Sequence, residues 1–186
     1  MRHLALAALA TLAALAACSA PLPNRAPTGE ALPEVRGEAL DGRAWTLPRD
    51  WRGEPVVAVL GFVQDSQFDI DRWLIGLDMT QTAARVYEVP TIRGLAPRVF
   101  SAKINEGMRG GIPRALWGGV ITVYADGERL QRFTGSERPR NARVLLLDAE
   151  GVVRYFNDEG FSVGGLNALR AALAGLGGVK GGAQGE

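Results

Sequence analysis

Apolar and polar positions fall in distinct blocks along this chain, and the blocks predict most of its elements. Val56-Val57-Ala58-Val59-Leu60-Gly61-Phe62-Val63 is a continuous apolar, β-branched run, the pattern of a strand buried on both faces and so the expected central strand. Gln64-Asp65-Ser66-Gln67 follows, and Ser66 with Asp69 three residues on has the form of a capping box. Ile70, Trp73, Leu74 and Leu77 then recur at helical spacing, which predicts a helix of about four turns fed by the strand. Residues 85–89 read as a second strand, and Phe100, Ile104 and Met108 mark a second helix ending at Gly110-Gly111. Strand, helix, strand, helix calls for parallel pairing through right-handed crossovers.

The pattern then changes. Residues 120–124 and 129–133 flank Asp126-Gly127, while 143–147 and 152–156 flank Glu150-Gly151. Both predict β-hairpins, the first on the stronger turn. Leu166, Leu169, Leu173 and Leu176 predict a closing helix stopped by Gly177. Residues 19–34 carry four prolines and little periodicity, which reads as a semi-extended tether reaching up to roughly 45 Å. Residues 177–186 hold five glycines and read as a flexible tail.

At the N-terminus a basic start is followed by an apolar run from Leu4 to Ala17 and then Cys18-Ser19. That run is shorter than the roughly 20 residues of a spanning helix and has the layout of a secretory signal. Leu15-Ala16-Ala17-Cys18 also resembles the lipobox of bacterial lipoproteins. The resemblance implies that Cys18 takes a diacylglyceryl group and becomes the new N-terminus. Several acyl chains on one Cys give a lasting hold on a membrane, where a single chain binds only marginally. The expected organisation is a signal peptide at 1–17, lipidated Cys18 with a proline-rich tether to residue 34, a domain at 35–176, and the tail. The location expected from this is the bacterial cell envelope, lipid-anchored on the periplasmic side. Ser19 in place of Asp favours the outer over the inner membrane under the sorting rule for such lipoproteins.

Composition narrows the chemistry. The chain has 186 residues, enough for one domain, and is 47% hydrophobic and 22% charged with 21 basic and 20 acidic residues. That is neither a disordered chain nor a nucleic-acid-coating one, and no nucleic-acid partner is expected. One Cys and one His allow no intramolecular disulfide, dithiol pair or Cys/His zinc cage. His3 lies in the segment that would be removed, so removing 17 of 186 residues leaves 169 without histidine and with the only thiol blocked. No Gly-x-Ser-x-Gly, Walker or Gly-x-Gly-x-x-Gly motif occurs, and a Ser-His-Asp triad cannot form without a histidine. No cofactor or metal is expected.

A buried strand, helix, strand, helix, hairpin and last helix is the order of the thioredoxin-like fold. Leu32-Pro33, Leu40-Asp41-Gly42 and Leu47 ahead of the core strand, and Leu146-Leu147-Asp148-Ala149-Glu150-Gly151-Val152-Val153 near the end, resemble the peroxiredoxin and membrane-tethered thiol-disulfide oxidoreductase branch. The extra hairpin expected at Asp126-Gly127 suits that branch. Ile104-Asn105-Glu106-Gly107-Met108-Arg109 is similar, more distantly, to the thioredoxin-like assembly factor of the mitochondrial ATP synthase. The resemblance covers about residues 32–176 and implies an α/β, three-layer sandwich with a mixed central sheet. In the catalytic families a reactive Cys sits in the loop from the first core strand into its helix, where the helix N-terminus lowers the thiol pKa. Here that loop is Gln64-Asp65-Ser66-Gln67-Phe68-Asp69-Ile70, without cysteine. The families often carry a cis-proline before the closing hairpin; here Pro139 lies too early and Asn141 stands in its place.

The function expected from these departures is binding: a redox-inactive domain serving as a binding or assembly factor for an envelope protein or membrane complex. A non-redox enzyme using loop carboxylates, and a purely structural lipoprotein, are the alternatives. The candidate binding residues are Gln64, Asp65, Ser66 and Gln67, with Arg138, Arg140 and Asn141 as a cationic lip beside them. Asp65, Asp69 and Asp71 gather at a helix start, where the macrodipole favours acids regardless of chemistry. Trp45, Trp51, Trp73 and Trp117 serve either a groove or the core. Residues 93–143 hold ten basic groups against four acidic, a block that either meets an anionic partner or pairs with the acidic residues of 18–92.

Overall fold

The structure, a computed structural model, describes residues 21–92 and 101–177. Its elements in chain order are β1 (Val35–Ala39), β2 (Ala44–Leu47), β3 (Val56–Gly61), α1 (Gln67–Met79), β4 (Arg85–Pro90), α2 (Ser101–Gly111), β5 (Ile121–Thr122), α3 (Gly127–Thr134), β6 (Arg143–Leu147), β7 (Val153–Asn157) and α4 (Val163–Gly177). The lipobox and Cys18, the residues of 93–100, and the tail beyond 177 lie outside the described residues.

All six residues of β3 are buried, because strands flank it and side chains cover both of its faces. It pairs in parallel with β4 (Val57 opposite Val86) and antiparallel with β6 (Val57 opposite Leu146), and β7 closes the order β4-β3-β6-β7. The sheet is therefore mixed, with α1 as the crossover between its parallel pair. Val57, Val59, Val144 and Leu146 point to one side and pack under Ile70, Trp73 and Leu77 of α1 and Leu166 and Leu169 of α4. Val56, Ala58, Leu60, Leu145 and Leu147 point to the other, alternating as strand geometry requires. There they meet Trp45 and Leu47 of β2, Trp51, and Leu130 and Phe133 of α3. A second sheet of order β2-β1-β5 joins the first through the parallel bridges Glu88 to Val120 and Thr91 to Val123.

The tryptophans divide accordingly. Trp73 is fully buried and meets Phe161 edge-on at 5.4 Å, and Trp51 stacks on Tyr87 at 5.1 Å. Trp45, also buried, carries the Arg43 guanidinium on its face at 4.0 Å. They are core and not a shared groove. Half-buried Trp117 donates its ring N–H to the Ile112 carbonyl.

Two expectations are corrected. Asp126-Gly127 does not turn a hairpin: residues 129–133 belong to α3. The spacing of its buried residues, Gly127, Leu130, Gln131, Phe133 and Thr134, is helical. The Asp126 carboxylate accepts from the Arg36 amide of β1, and its carbonyl accepts from Arg129 N–H at 2.9 Å, which start the helix where a strand was expected.

The second correction concerns the tether. From residue 22 the chain lies on the domain instead of leading away from it. Leu22 N–H donates to Ser136 Oγ at 3.0 Å and Leu22 O accepts from Ser136 N–H at 2.9 Å. Asn24 Oδ1 accepts from Glu137 N–H, and the Arg25 amide donates to Thr134 O. Further on, Gly29 N–H reaches Val153 O, Leu32 N–H reaches Gly151 O, and Ala31 bridges Val152. The prolines remove donors, but the amides of Leu22, Arg25, Gly29 and Leu32 remain to bond to the domain. This strap crosses the backbone at Gly135, where φ is +76° and an added Cβ would come within 2.3 Å of Asn24 Cα; only glycine fits.

α2 is held from one side. Asn105, buried, accepts from Tyr124 Oη at 2.7 Å, and Arg109 Nε donates to Leu40 O at 2.7 Å. Burial, with Glu38 nearby, pushes the Tyr124 hydroxyl up to about 12.

Candidate binding site at the carboxyl ends of β3 and β4

β3 ends at Gly61, where an added Cβ would come within 2.7 Å of Ser66 Oγ and Ile70 Cδ1, so that the start of α1 packs closely against the strand end. Phe62 and extended Val63 follow, then one 3-10 turn, Gln64–Ser66, and α1. Ser66 is buried and its hydroxyl donates to Val63 O at 2.6 Å. The capping box is therefore not formed: the hydroxyl faces back into the loop, and Asp69 turns inward. Asp69 Oδ2 accepts from Ala142 N–H at 2.8 Å and Oδ1 from Phe161 N–H at 2.7 Å. This bolts the first turn of α1 to the segment entering β6 and to the one entering α4. Nothing local in the sequence marks that role, since Ser-x-x-Asp reads the same either way.

Of the expected binding residues, Gln64 and Asp65 are exposed. Ser66 is sealed, and half-buried Gln67 donates to Asp71 Oδ1 at 2.9 Å. Asp65 pairs with Arg140 at 3.3 Å, so the loop and the lip do meet. Arg138 instead faces Glu159 at 3.5 Å, and Asn141 Nδ2 donates to Asp158 O at 2.9 Å. Exposed Val63 and Phe68 flank the polar centre. The described cis peptide is Leu47-Pro48, on the far side of the chain order from Asn141.

Two buried charged groups were not anticipated. Glu88 of β4 is 9% exposed. Burial pushes its carboxyl above the usual range, opposed by a hydrogen bond from Gln67 and assisted by Asp71. A lone acid inside the apolar stretch Val86-Tyr87-Glu88-Val89 was the available signal. Arg143 opens β6 fully buried, its Nη1 donating to Arg138 O at 2.5 Å and Asn141 O at 2.7 Å, its guanidinium 5.0 Å from the Phe62 ring centre. Its Nε and Nη2 have no partner among the described residues. Burial lowers its pKa, Asp158 opposing and Arg138 reinforcing. A cavity of about 370 Å³ between the strap and β7 is lined by Asn24, Arg25, Arg138, Phe156 and Asp158.

No known family profile matches the chain, and no curated protein matches it in sequence. Solved structures do. The thioredoxin domain of a thiol-disulfide oxidoreductase from Bacteroides vulgatus superposes with a TM-score of 0.51 at 17% identity, covering 80% of this chain and 99% of that one. The fold is thioredoxin-like. Two further solved structures are similar to this chain. One is the pneumococcal exposed lipoprotein thioredoxin from Streptococcus pneumoniae, with a TM-score of 0.51, 12% identity, and coverage of 75% and 99%. The other is BsSco, of the Sco family of cytochrome c oxidase assembly proteins, with a TM-score of 0.54, 12% identity, and coverage of 81% and 97%. In this thioredoxin-like domain the loop from β3 into α1 has no cysteine, and the chain's only one is Cys18.

Proposed function

We propose that this chain is a lipid-anchored domain of the bacterial cell envelope that binds a protein partner and performs no thiol chemistry. The observation that carries the reading is the loop Gln64–Ser66, where polar, unreactive side chains occupy the position at which catalytic relatives of the fold hold a thiolate. Asp65 and Arg140 form an exposed ion pair at the carboxyl ends of the strands, the end at which α/β domains gather ligands. Exposed Phe68 and Val63 beside them supply an apolar anchor. Cys18, in its lipobox-like setting, supports a lipid attachment and a periplasmic position, and Ser19 supports the outer membrane. The pneumococcal structure is a lipoprotein and the Sco-family one an assembly protein, two roles in keeping with a tethered binding domain.

The enzyme alternative is weakened at its own residues. Asp69 is committed to two backbone amides and Asp65 to Arg140. The test is cross-linking of the native lipoprotein in membranes, with Gln64→Ala plus Asp65→Ala in one variant and Arg140→Glu in another. Each is expected to fold by circular dichroism and to lose the cross-linked partner. Undiminished capture by both folded variants would move the site elsewhere, and a turnover abolished by Asp65→Asn would favour the enzyme. Cys18→Ser is expected to abolish fatty-acid labelling; persistent labelling would remove the anchor.

A further inference from the structure

We propose that the end of the domain carrying Leu22, Ser136 and Asp65 rests against the lipid headgroups, held there by a leash of three residues. The inference rests on lipidation of Cys18 and adds to it an orientation. Only Ser19, Ala20 and Pro21 separate Cys18 from Leu22, and Leu22 is fixed to Ser136 by two hydrogen bonds. Four Cα-to-Cα steps of at most about 3.6 Å span about 14 Å. A free tether to residue 34 would reach about three times as far, at roughly 3 Å per residue.

The strap also selects which end is near. Ser136 and Asn141 lie before β6, and Arg143 at its start pairs with Leu60 at the end of β3. Arg52 lies at the opposite end, where the next residue, Gly53, donates its N–H to Ala149 O beyond the far end of β6. β6 alone separates the ends by about 13 Å. The strap is seated where a side chain cannot intrude, at Gly135, and runs on past Gly29 and Leu32, so it is hooked at several points. Arg25, Arg138 and Arg140 at the near end are each paired, with Glu30, Glu159 and Asp65. Orientation is thus set by the leash and not by attraction of free cations to anionic lipid.

The test uses the full lipidated chain in vesicles of phosphatidylethanolamine and phosphatidylglycerol doped with a nickel-chelating lipid. The native thiol is capped by lipid, so a nitroxide can be placed on Glu137→Cys or Arg52→Cys, both exposed positions. Vesicle flotation and the mass of the N-terminal peptide first read the anchor itself; a protein that neither floats nor carries lipid overturns both readings. With the anchor present, relaxation by nickel lipid is expected to be several-fold stronger at 137 than at 52. The difference should persist at about 1 M salt, where the screening length is about 3 Å. It should shrink when a long Gly-Ser insert, which leaves the fold untouched, is placed between Ala20 and Pro21. Equal relaxation in an anchored protein, a reversed order, or a difference erased by salt would overturn the orientation while leaving lipidation intact.

Discussion

Asp69 takes one amide from Ala142 and one from Phe161, residues 73 and 92 positions further along the chain. A buried carboxylate so engaged stabilises through charge-assisted bonds, and its loss leaves two amides unpaired. Asp69→Ala is expected to cost about 3 kcal/mol, read as a lower urea midpoint with an unchanged slope. Glu88 has the opposite character. Its folded pKa lies above the unfolded value of 4.5 because burial penalises the charged form. Its contribution to stability is therefore full below that value and is lost as pH climbs through the folded one. Glu88→Gln should gain stability relative to the parent on going from acid to neutral pH. A difference that stays flat across that range would show that Glu88 does not titrate there. Asp148, whose carboxyl is raised by burial but held below its usual range overall by the amides of Val152 and Glu150 and by Arg154, loses its contribution in the other direction, as pH falls.

At the scale of elements, the legible parts are those whose pattern admits one reading. The unbroken run of β3 can only be a doubly covered strand or a buried helix segment, and its length and β-branching decide. The β6–β7 turn is equally plain: Asp148 Oδ1 accepts from Glu150 and Val152, and Gly151 adopts φ +86°. Arg129-Leu130-Gln131-Arg132-Phe133 admits two readings, since Leu130 and Phe133 are three apart. The decision came from the Arg36 amide on the Asp126 carboxylate, 90 positions away. The bracing role of Asp69 was illegible for the same reason, its partners Ala142 and Phe161 being remote in the chain. The strap was hidden by composition, because prolines that lower hydrogen-bonding capacity in a free linker also suit a chain laid extended on a surface. Gly135→Val is expected to unseat it. Limited proteolysis should then cut within residues 22–32 faster than in the parent, while the helical circular dichroism signal of α1 and α4 is retained. Equal cutting would mean that the crossing tolerates a side chain.

For the molecule as a whole, charge is sorted along the chain but knitted together in space. Arg140 pairs with Asp65, while Arg129 and Arg109 reach the acidic first part through the Glu34 and Leu40 carbonyls. Arg143 is withdrawn into the core. The basic block of the sequence is thus partly spent on holding the fold. The absence of a thiolate near α1 gives the whole-molecule prediction: a soluble version beginning at Ser19 should neither reduce insulin nor consume peroxide above buffer background. Turnover in either assay would show that the chemistry has been misjudged. Where such a version begins matters for another reason. β7 is the outermost strand of its sheet, and residues 29–32 occupy part of its free side. Cut at residue 35, the limit that composition alone proposes, the domain would lose that cover. Its bare strand would then offer unpaired amides and carbonyls to that of a second molecule, so that shortening the chain is expected to raise its tendency to self-associate.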